Sequence, residues 1–343
     1  MKKIIIILSG FILFIAILSY SSIKNIFKPE EQVFASIEEN TDKINLKEEE
    51  IDKSKGIYVP FLAQNLSSPV KGSKNKFANT NQYFFKQKNE LLTELNLTAE
   101  SYYVVDIKTN QVLAEKNISE SRQLASITKI MTAMVVLDEY NIGKGDYIEM
   151  TDTAFATYGG DSLLVGEKFR VEDLLKATLM VSSNDAAALL SEHFGPGTDL
   201  FMTKMNKKAK EIGMSNTNFA NPHGLDSGED HYSTSIDVMK MLIYSFEKYP
   251  DIWSMLQIKE ETIISAMGNP VRIGNTNSFI DMSWSLGGKT GLTNKAKETF
   301  ATIFDIQGRK VGIVVLGSRV GGSRFVDTRK IKEWVEINFE QRI

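Results

Sequence analysis

Two strand-like segments stand at opposite ends of this sequence with a long helical stretch between them, and that order restricts the fold more than any other feature. "SYYVVDIKTNQVLAEKN" gives two β-rich runs around Thr109-Asn110, a hairpin pattern. Near the other end, "SWSLGGKTG" and the pair "KETFATIFDI" and "KVGIVVLGS" around Gln307-Gly308 read as further strands. Between these segments the apolar residues recur at helical spacing. Ile127, Ile130, Met131, Met134, Val135 and Leu137 crowd one broad side of a helix over about 126–140, and helices follow at 171–180, 185–194, 200–212 and 235–249. The middle block is expected to be helical throughout, and "DTRKIKEWVEINF" supplies a closing amphipathic helix. The two strand regions are expected to pair in one antiparallel sheet, with the helical block inserted as a second lobe. This is an α/β (α+β) arrangement whose natural site is the cleft between the lobes.

The 343 residues, 42% of them apolar, suffice for one large domain or two ordinary ones. A net charge of −3 and a pI near 5.8 lack the clustered excess of Lys and Arg that a nucleic-acid surface needs, so no nucleic-acid partner is expected. Cysteine is absent, which removes disulfides, thiolate catalysis and cysteine-ligated zinc together. At the N-terminus, Lys2 and Lys3 precede an apolar run over 4–20. At about 1.5 Å per residue this run nearly spans a hydrocarbon core of about 30 Å, and its basic side stays in the cytoplasm. Residues 1–22 are therefore expected to be a membrane anchor, or a signal segment if Ser19 and Ser21 act as a weak cleavage pair. Either way the chain beyond them is exported. Residues 23–85 include the charge-dense, aromatic-poor "PEEQVFASIEENTDKINLKEEEIDKSKG" and read as a poorly ordered stalk, which leaves 86–343 as the catalytic domain.

The spacing Ser-x-x-Lys occurs five times, starting at Ser21, Ser68, Ser73, Ser126 and Ser245, so spacing alone selects nothing. Only Ser126 opens a long apolar helix. There, residues three apart share a face, which lets the Lys129 amine reach the Ser126 hydroxyl as base to nucleophile. The unpaired N–H groups of the first turn offer an oxyanion site, and burial would push the Lys129 pKa down toward that of a usable base. The plainer reading makes Ser126 an N-cap and Lys129 a solvated first-turn residue. Ser182 and Asn184 have Ser-x-Asn spacing before another apolar helix, where capping is again the plain alternative. "GGKTG", at 287–291, matches the end of a phosphate-binding loop. Ser283 stands where that loop needs its first glycine, and a β-type run follows where it needs a helix. The three histidines, His193, His223 and His231, accompany no Gly-x-Ser-x-Gly elbow, and "HGLDSGEDH" fits no standard zinc spacing. Neither a metal nor a cofactor is expected.

Taken in order, "SITK", "SSN" and "KTG" resemble the motifs of the active-site serine enzymes that recognise penicillin. With the flanking "VEDLLKATLMVSSNDAAALLSEH" and "NPHGLDSGEDHYSTSIDVMKM", the chain is similar over about 97–339 to the serine-type D-alanyl-D-alanine carboxypeptidases, also called low-molecular-mass penicillin-binding proteins. The resemblance implies a lobe built on a five-stranded antiparallel sheet flanked by helices, plus an all-helical lobe. It also implies roles. Ser126 is then the nucleophile and Lys129 its base, Ser182 relays a proton to the leaving amine, and Asn184 holds Lys129 and the substrate amide. Lys289 and Thr290 bind the terminal carboxylate, with Gly291 and Leu292 on the same strand, and the N–H groups of Ser126 and Leu292 form the oxyanion hole. The implied partner is a peptidoglycan stem peptide ending in D-Ala-D-Ala, and the implied inhibitors are β-lactams. Three places depart from the family pattern: Leu124 replaces proline, Ser183 replaces glycine, and Ala296-Lys297 replaces Ala-Gly. A β-lactamase would carry an E-x-x-L-N loop between Ser-x-Asn and KTG, and none lies between Asp185 and Gly288. A D,D-endopeptidase would use the same residues, whereas a non-catalytic wall-binding module would not need them. These are the two alternatives to a carboxypeptidase.

Overall fold

The computed structural model describes residues 83–85 and 94–341, apart from 158, 160–162, 196, 228 and 229. The expected anchor at 1–22 and most of the expected stalk lie outside the described residues. Among those described, no helix is long and apolar enough to cross a membrane. The elements run β1 (Tyr83–Phe85), β2 (Ser101–Asp106), β3 (Gln111–Lys116), a 3-10 turn (Ala125–Ile127), α1 (Thr128–Glu139), β4 (Tyr147–Glu149), α2 (Asp152–Phe155), β5 (Lys168–Arg170), α3 (Val171–Leu179) and α4 (Asn184–Phe194). They continue with α5 (Thr198–Glu211), α6 (Ser235–Lys248), α7 (Pro250–Leu256), β6 (Glu260–Ile264), β7 (Pro270–Gly274), β8 (Ser285–Thr293), β9 (Lys297–Ile306), β10 (Arg309–Ser318), α8 (Ser323–Asn338) and β11 (Phe339–Gln341).

The two ends of the domain meet in one five-stranded antiparallel sheet of order β3-β2-β10-β9-β8. Strand alternation sorts its side chains onto two cores. Tyr103, Val105, Ala301, Ile303, Val314 and Leu316 join the core of the helical block. Val104, Phe300, Phe304, Ile313 and Val315 face the other way, against Ile331, Trp334 and Val335 of α8. With both faces covered, β9 and β10 carry nearly unbroken apolar runs. Their connection has φ of 53° at Gln307 and 78° at Gly308, the two left-handed residues of a tight hairpin turn whose twist suits the strands.

On the first face lies α1, in which every residue from Thr128 to Val136 is buried. A helix enclosed all round belongs at the centre of a helical lobe, and α3 to α7 all pack on this one. Capping explains several boundaries. The Ser183 hydroxyl accepts from Ala186 N–H at 3.1 Å to start α4, and Thr234 accepts from Asp237 N–H at 3.2 Å to start α6.

The expectation of an entirely helical middle block is corrected. β4 pairs with β5, and β6 with β7, both antiparallel. Each strand of the first pair buries one apolar residue, Ile148 or Phe169, between two exposed ones. Three residues are too few for alternation to stand out from a helical background. Tyr83–Phe85, inside the predicted stalk, pairs antiparallel with Phe339–Gln341. One family departure has a local signature too. Lys297 stands at φ 57°, a left-handed conformation that glycine adopts freely and lysine does not.

Candidate active site

Ser126 sits in the 3-10 turn that leads into α1, held from two sides. Above it Gly291 of β8 packs so closely that a Cβ there would fall 2.9 Å from Ser126 N and 2.8 Å from Ala125 Cβ. Below it Gly224, at φ 83°, leaves no room for a side chain, since a Cβ would overlap Ala125 O at 1.9 Å. Ala125 itself is in the left-handed region at φ 50°. Thr299 of β9 adds a bond from its hydroxyl to Leu124 O at 3.0 Å. The turn is thus clamped between the edge strand and the loop containing His223.

Ser126 does not cap α1; Ile127 is its N-cap and no side chain bonds there. Lys129, far from being solvated, is 0% exposed. Its Nζ lies 2.9 Å from Ser126 Oγ, 2.6 Å from Asn184 Oδ1 and 2.7 Å from the carbonyl oxygen of His223. Two of these partners can only accept. A neutral amine gives its two protons to them and keeps its lone pair for the serine hydroxyl, so the site matches the uncharged form. Burial accordingly holds the Lys129 pKa well below the ordinary lysine value, and the nearby positive charge of Lys289 lowers it further, against an opposing pull from Asp185.

The remaining predicted residues lie at the start of α4, in the turn before it and on β8. Asn184 opens α4 and touches Lys129 directly. Ser182, two residues before it, has φ of 67°, a conformation that costs a non-glycine residue about 1–2 kcal/mol. Such strain gathers at functional turns. Lys289 lies on β8 opposite Ala301 and so shares the face covered by the helical block. It is 0% exposed, and burial together with the charge of Arg324 brings its pKa down to about 7. Thr290 Oγ1 is 2.6 Å from Thr276 Oγ1, and Leu292, on the edge strand, is 50% exposed. Three motifs distant in sequence therefore converge on one place.

Two groups at this place leave no motif in the sequence. The first is the His223 carbonyl, because a backbone acceptor leaves no trace in residue type. Its position is fixed by Asn221, whose Oδ1 accepts from Gly224 N–H at 2.6 Å and whose Nδ2 donates to Leu225 O at 2.9 Å. The loop is tied to the end of β8 by Asp226, which accepts from Thr293 Oγ1 at 2.6 Å and Lys295 N–H at 3.2 Å. The second is Arg324 of α8. Its Nη1 donates to Gly291 O at 2.6 Å, and its Nε is buried without an acceptor. Neither His223 nor His231 offers a rival base. Burial lowers their pKa values to about 3 and about 4, and His231 Nε2 is engaged with Thr128 Oγ1 at 2.8 Å. Among the described residues, no group of three or more His, Asp or Glu could hold a metal ion.

The family profile described as D-alanyl-D-alanine carboxypeptidase matches residues 73–320, which contain all of these groups but Arg324. The chain belongs to the D-alanyl-D-alanine carboxypeptidase family. It is a serine peptidase. Its sequence is 31% identical over 263 residues to the D-alanyl-D-alanine carboxypeptidase DacF of Bacillus subtilis, covering 75% of this chain and 67% of that protein. It is 32% identical over 242 residues to a D-alanyl-D-alanine endopeptidase of Escherichia coli, covering 69% and 76%. Among solved structures, the Streptomyces K15 DD-transpeptidase is similar at a TM-score of 0.65 and 27% identity, over 71% of this peptidase and 98% of that chain. A D-alanyl-D-alanine carboxypeptidase from Mycobacterium tuberculosis is similar at a TM-score of 0.66 and 25% identity, over 73% and 95%.

Proposed function

We propose that this peptidase removes the terminal D-alanine from peptidoglycan stem pentapeptides through an ester on Ser126. The observation that carries this reading is the Lys129 amine, buried without a carboxylate partner among the described residues and aimed at the Ser126 hydroxyl. Lys129 takes the hydroxyl proton as Oγ attacks the carbonyl carbon between the two D-alanines. The N–H groups of Ser126 and Leu292 receive the oxyanion that forms. The intermediate collapses with cleavage of the C–N bond, Ser182 delivers a proton to the departing amine, and water then hydrolyses the ester. Asn184 holds Lys129 in line throughout.

The terminal carboxylate needs a positive, partly desolvated pocket. Lys289 and Thr290 meet that need, with the charge of Arg324, which acts on Lys289 and is bonded to Gly291 O, adding to it. A β-lactam carries an equivalent carboxylate and a reactive ring carbonyl, so attack by Ser126 Oγ opens the ring C–N bond and forms an ester on the same oxygen, with the amine still tethered. Residues 1–22 would keep the enzyme on the outer face of the membrane, a reading supported by Lys2, Lys3 and the apolar run after them.

A D,D-endopeptidase reading has support from the Escherichia coli relative, and the chemistry would be the same at a crosslink. Purified sacculi separate the two. With the carboxypeptidase, digestion and muropeptide analysis show pentapeptides falling and free D-alanine rising while dimers persist. Loss of dimers with pentapeptides intact would replace this reading with the endopeptidase one.

A further inference from the structure

Glu298 takes no part in the chemistry above, yet it is 2% exposed beside the site. It lies on β9 opposite Leu292 of β8. Its Oε1 accepts from Gly321 N–H at 2.8 Å and Gly322 N–H at 2.7 Å, and its Oε2 from Arg324 N–H at 3.0 Å. These amides lie at the start of α8, where the N-cap is Gly322 at φ 89° and has no side chain to satisfy them. The helix therefore takes its cap from a neighbouring strand. Burial alone would raise the Glu298 pKa, but the three N–H groups and the charge of Arg324 hold it low, so the carboxylate stays ionised.

The cap also sets the place of Arg324. Its backbone N–H is held by Glu298 while its guanidinium donates to Gly291 O, one residue before Leu292. We propose that Glu298 is a positioning residue: by capping α8 from β9 it holds Arg324 against the strand that carries Lys289, Thr290, Gly291 and Leu292. The Glu298 carboxylate accepts from Gly321, Gly322 and Arg324, not from Ser126 or Lys129, and acts through Arg324. Its kinetic consequence rests on the reading of that end of the cleft as the carboxylate pocket. The charged groups concerned are Arg324 from α8 and Lys129 from α1 around Lys289, Asp185 from α4 acting on Lys129, and Glu298 from β9 facing Arg324.

The test compares the full chain with Glu298→Gln, Arg324→Ala and the double variant. Glu298→Gln should lower the rate of acylation by a penicillin about tenfold, a smaller loss than the roughly 10²-fold of a full 1 Å misplacement because glutamine can still accept from the α8 amides. The alkaline limb of its pH–rate profile, where Lys289 loses its proton, should move to higher pH, as in Arg324→Ala, because the displaced Arg324 no longer places its positive charge beside Lys289. The double variant should be no slower than Arg324→Ala alone. Labelling of Arg324 by phenylglyoxal, read at that residue by peptide mass spectrometry, should rise several-fold in Glu298→Gln. An unmoved limb, additive losses, or unchanged labelling would overturn the proposal. If the wild type forms no ester at Ser126, the mechanism above fails and the labelling alone decides the role of Glu298. Should Glu298→Gln not fold, Glu298→Asp keeps the charge but withdraws it by one methylene, and the same outcomes apply.

Discussion

Lys129→Met is expected to slow acylation by a penicillin by about 10³-fold or more, measured by stopped flow with a fluorescent penicillin. A positioned general base contributes about 10²–10⁴-fold, and in this site the amine also keeps the serine hydroxyl oriented. Methionine suits the test because it fills an enclosed position with a chain of similar length and no charge. The substitution removes the Lys129 donor from Asn184 Oδ1 and from the His223 carbonyl, and a buried acceptor left unsatisfied costs about 1–3 kcal/mol. Removal of a desolvated amine offsets part of that cost, so the thermal midpoint should fall by only a few degrees. A loss below tenfold in a folded variant would place the base elsewhere.

Lys289→Ala has the second largest expected effect, about 10²–10³-fold on kcat/KM for a D-Ala-D-Ala peptide, typical of losing one preorganised charge stabiliser. Its pH profile gives the sharper evidence. Lys289 must be protonated to receive a carboxylate, and its pKa in the free enzyme is about 7. In the wild type, kcat/KM should therefore fall as pH rises through about 7, while kcat holds to higher pH because a bound carboxylate retains the proton. The acid limb belongs to Lys129, which must be neutral to act. The positive charge of Lys289 helps depress the Lys129 pKa, so Lys289→Ala should abolish the alkaline limb and move the acid limb upward together. The two amines titrate as a coupled pair, and each limb reports the pair. A wild-type profile flat from pH 6 to 9 would remove Lys289 from its role.

How much of this was legible in the sequence follows from the range over which each feature is encoded. The hairpin at β2–β3, the long α1 and the β9–β10 pair are strong local patterns, and they appear where periodicity and turn residues put them. Ser126, Lys129, Asn184 and Lys289 stand out in the sequence because their motifs occur in order, and the structure brings them near one another, although four other Ser-x-x-Lys copies show how little the spacing carries alone. Burial lowers the Lys129 pKa, which the proposed base needs, and that burial is a tertiary property. The short strands β4 to β7 were hidden because few of their residues face the core. The His223 carbonyl, Arg324 and Glu298 were hidden for another reason. Each acts through a backbone contact made between distant segments, and no residue pattern records such a contact.

Acylation of Ser126 with Lys129 as its base is tested most simply by the intact mass of the protein after incubation with a penicillin. The wild type should gain the mass of one penicillin, with the adduct on the peptide containing Ser126, and Ser126→Ala should gain none. A wild type without adduct, or Ser126→Ala labelled to the same extent, would mean that Ser126 is not the acylated group.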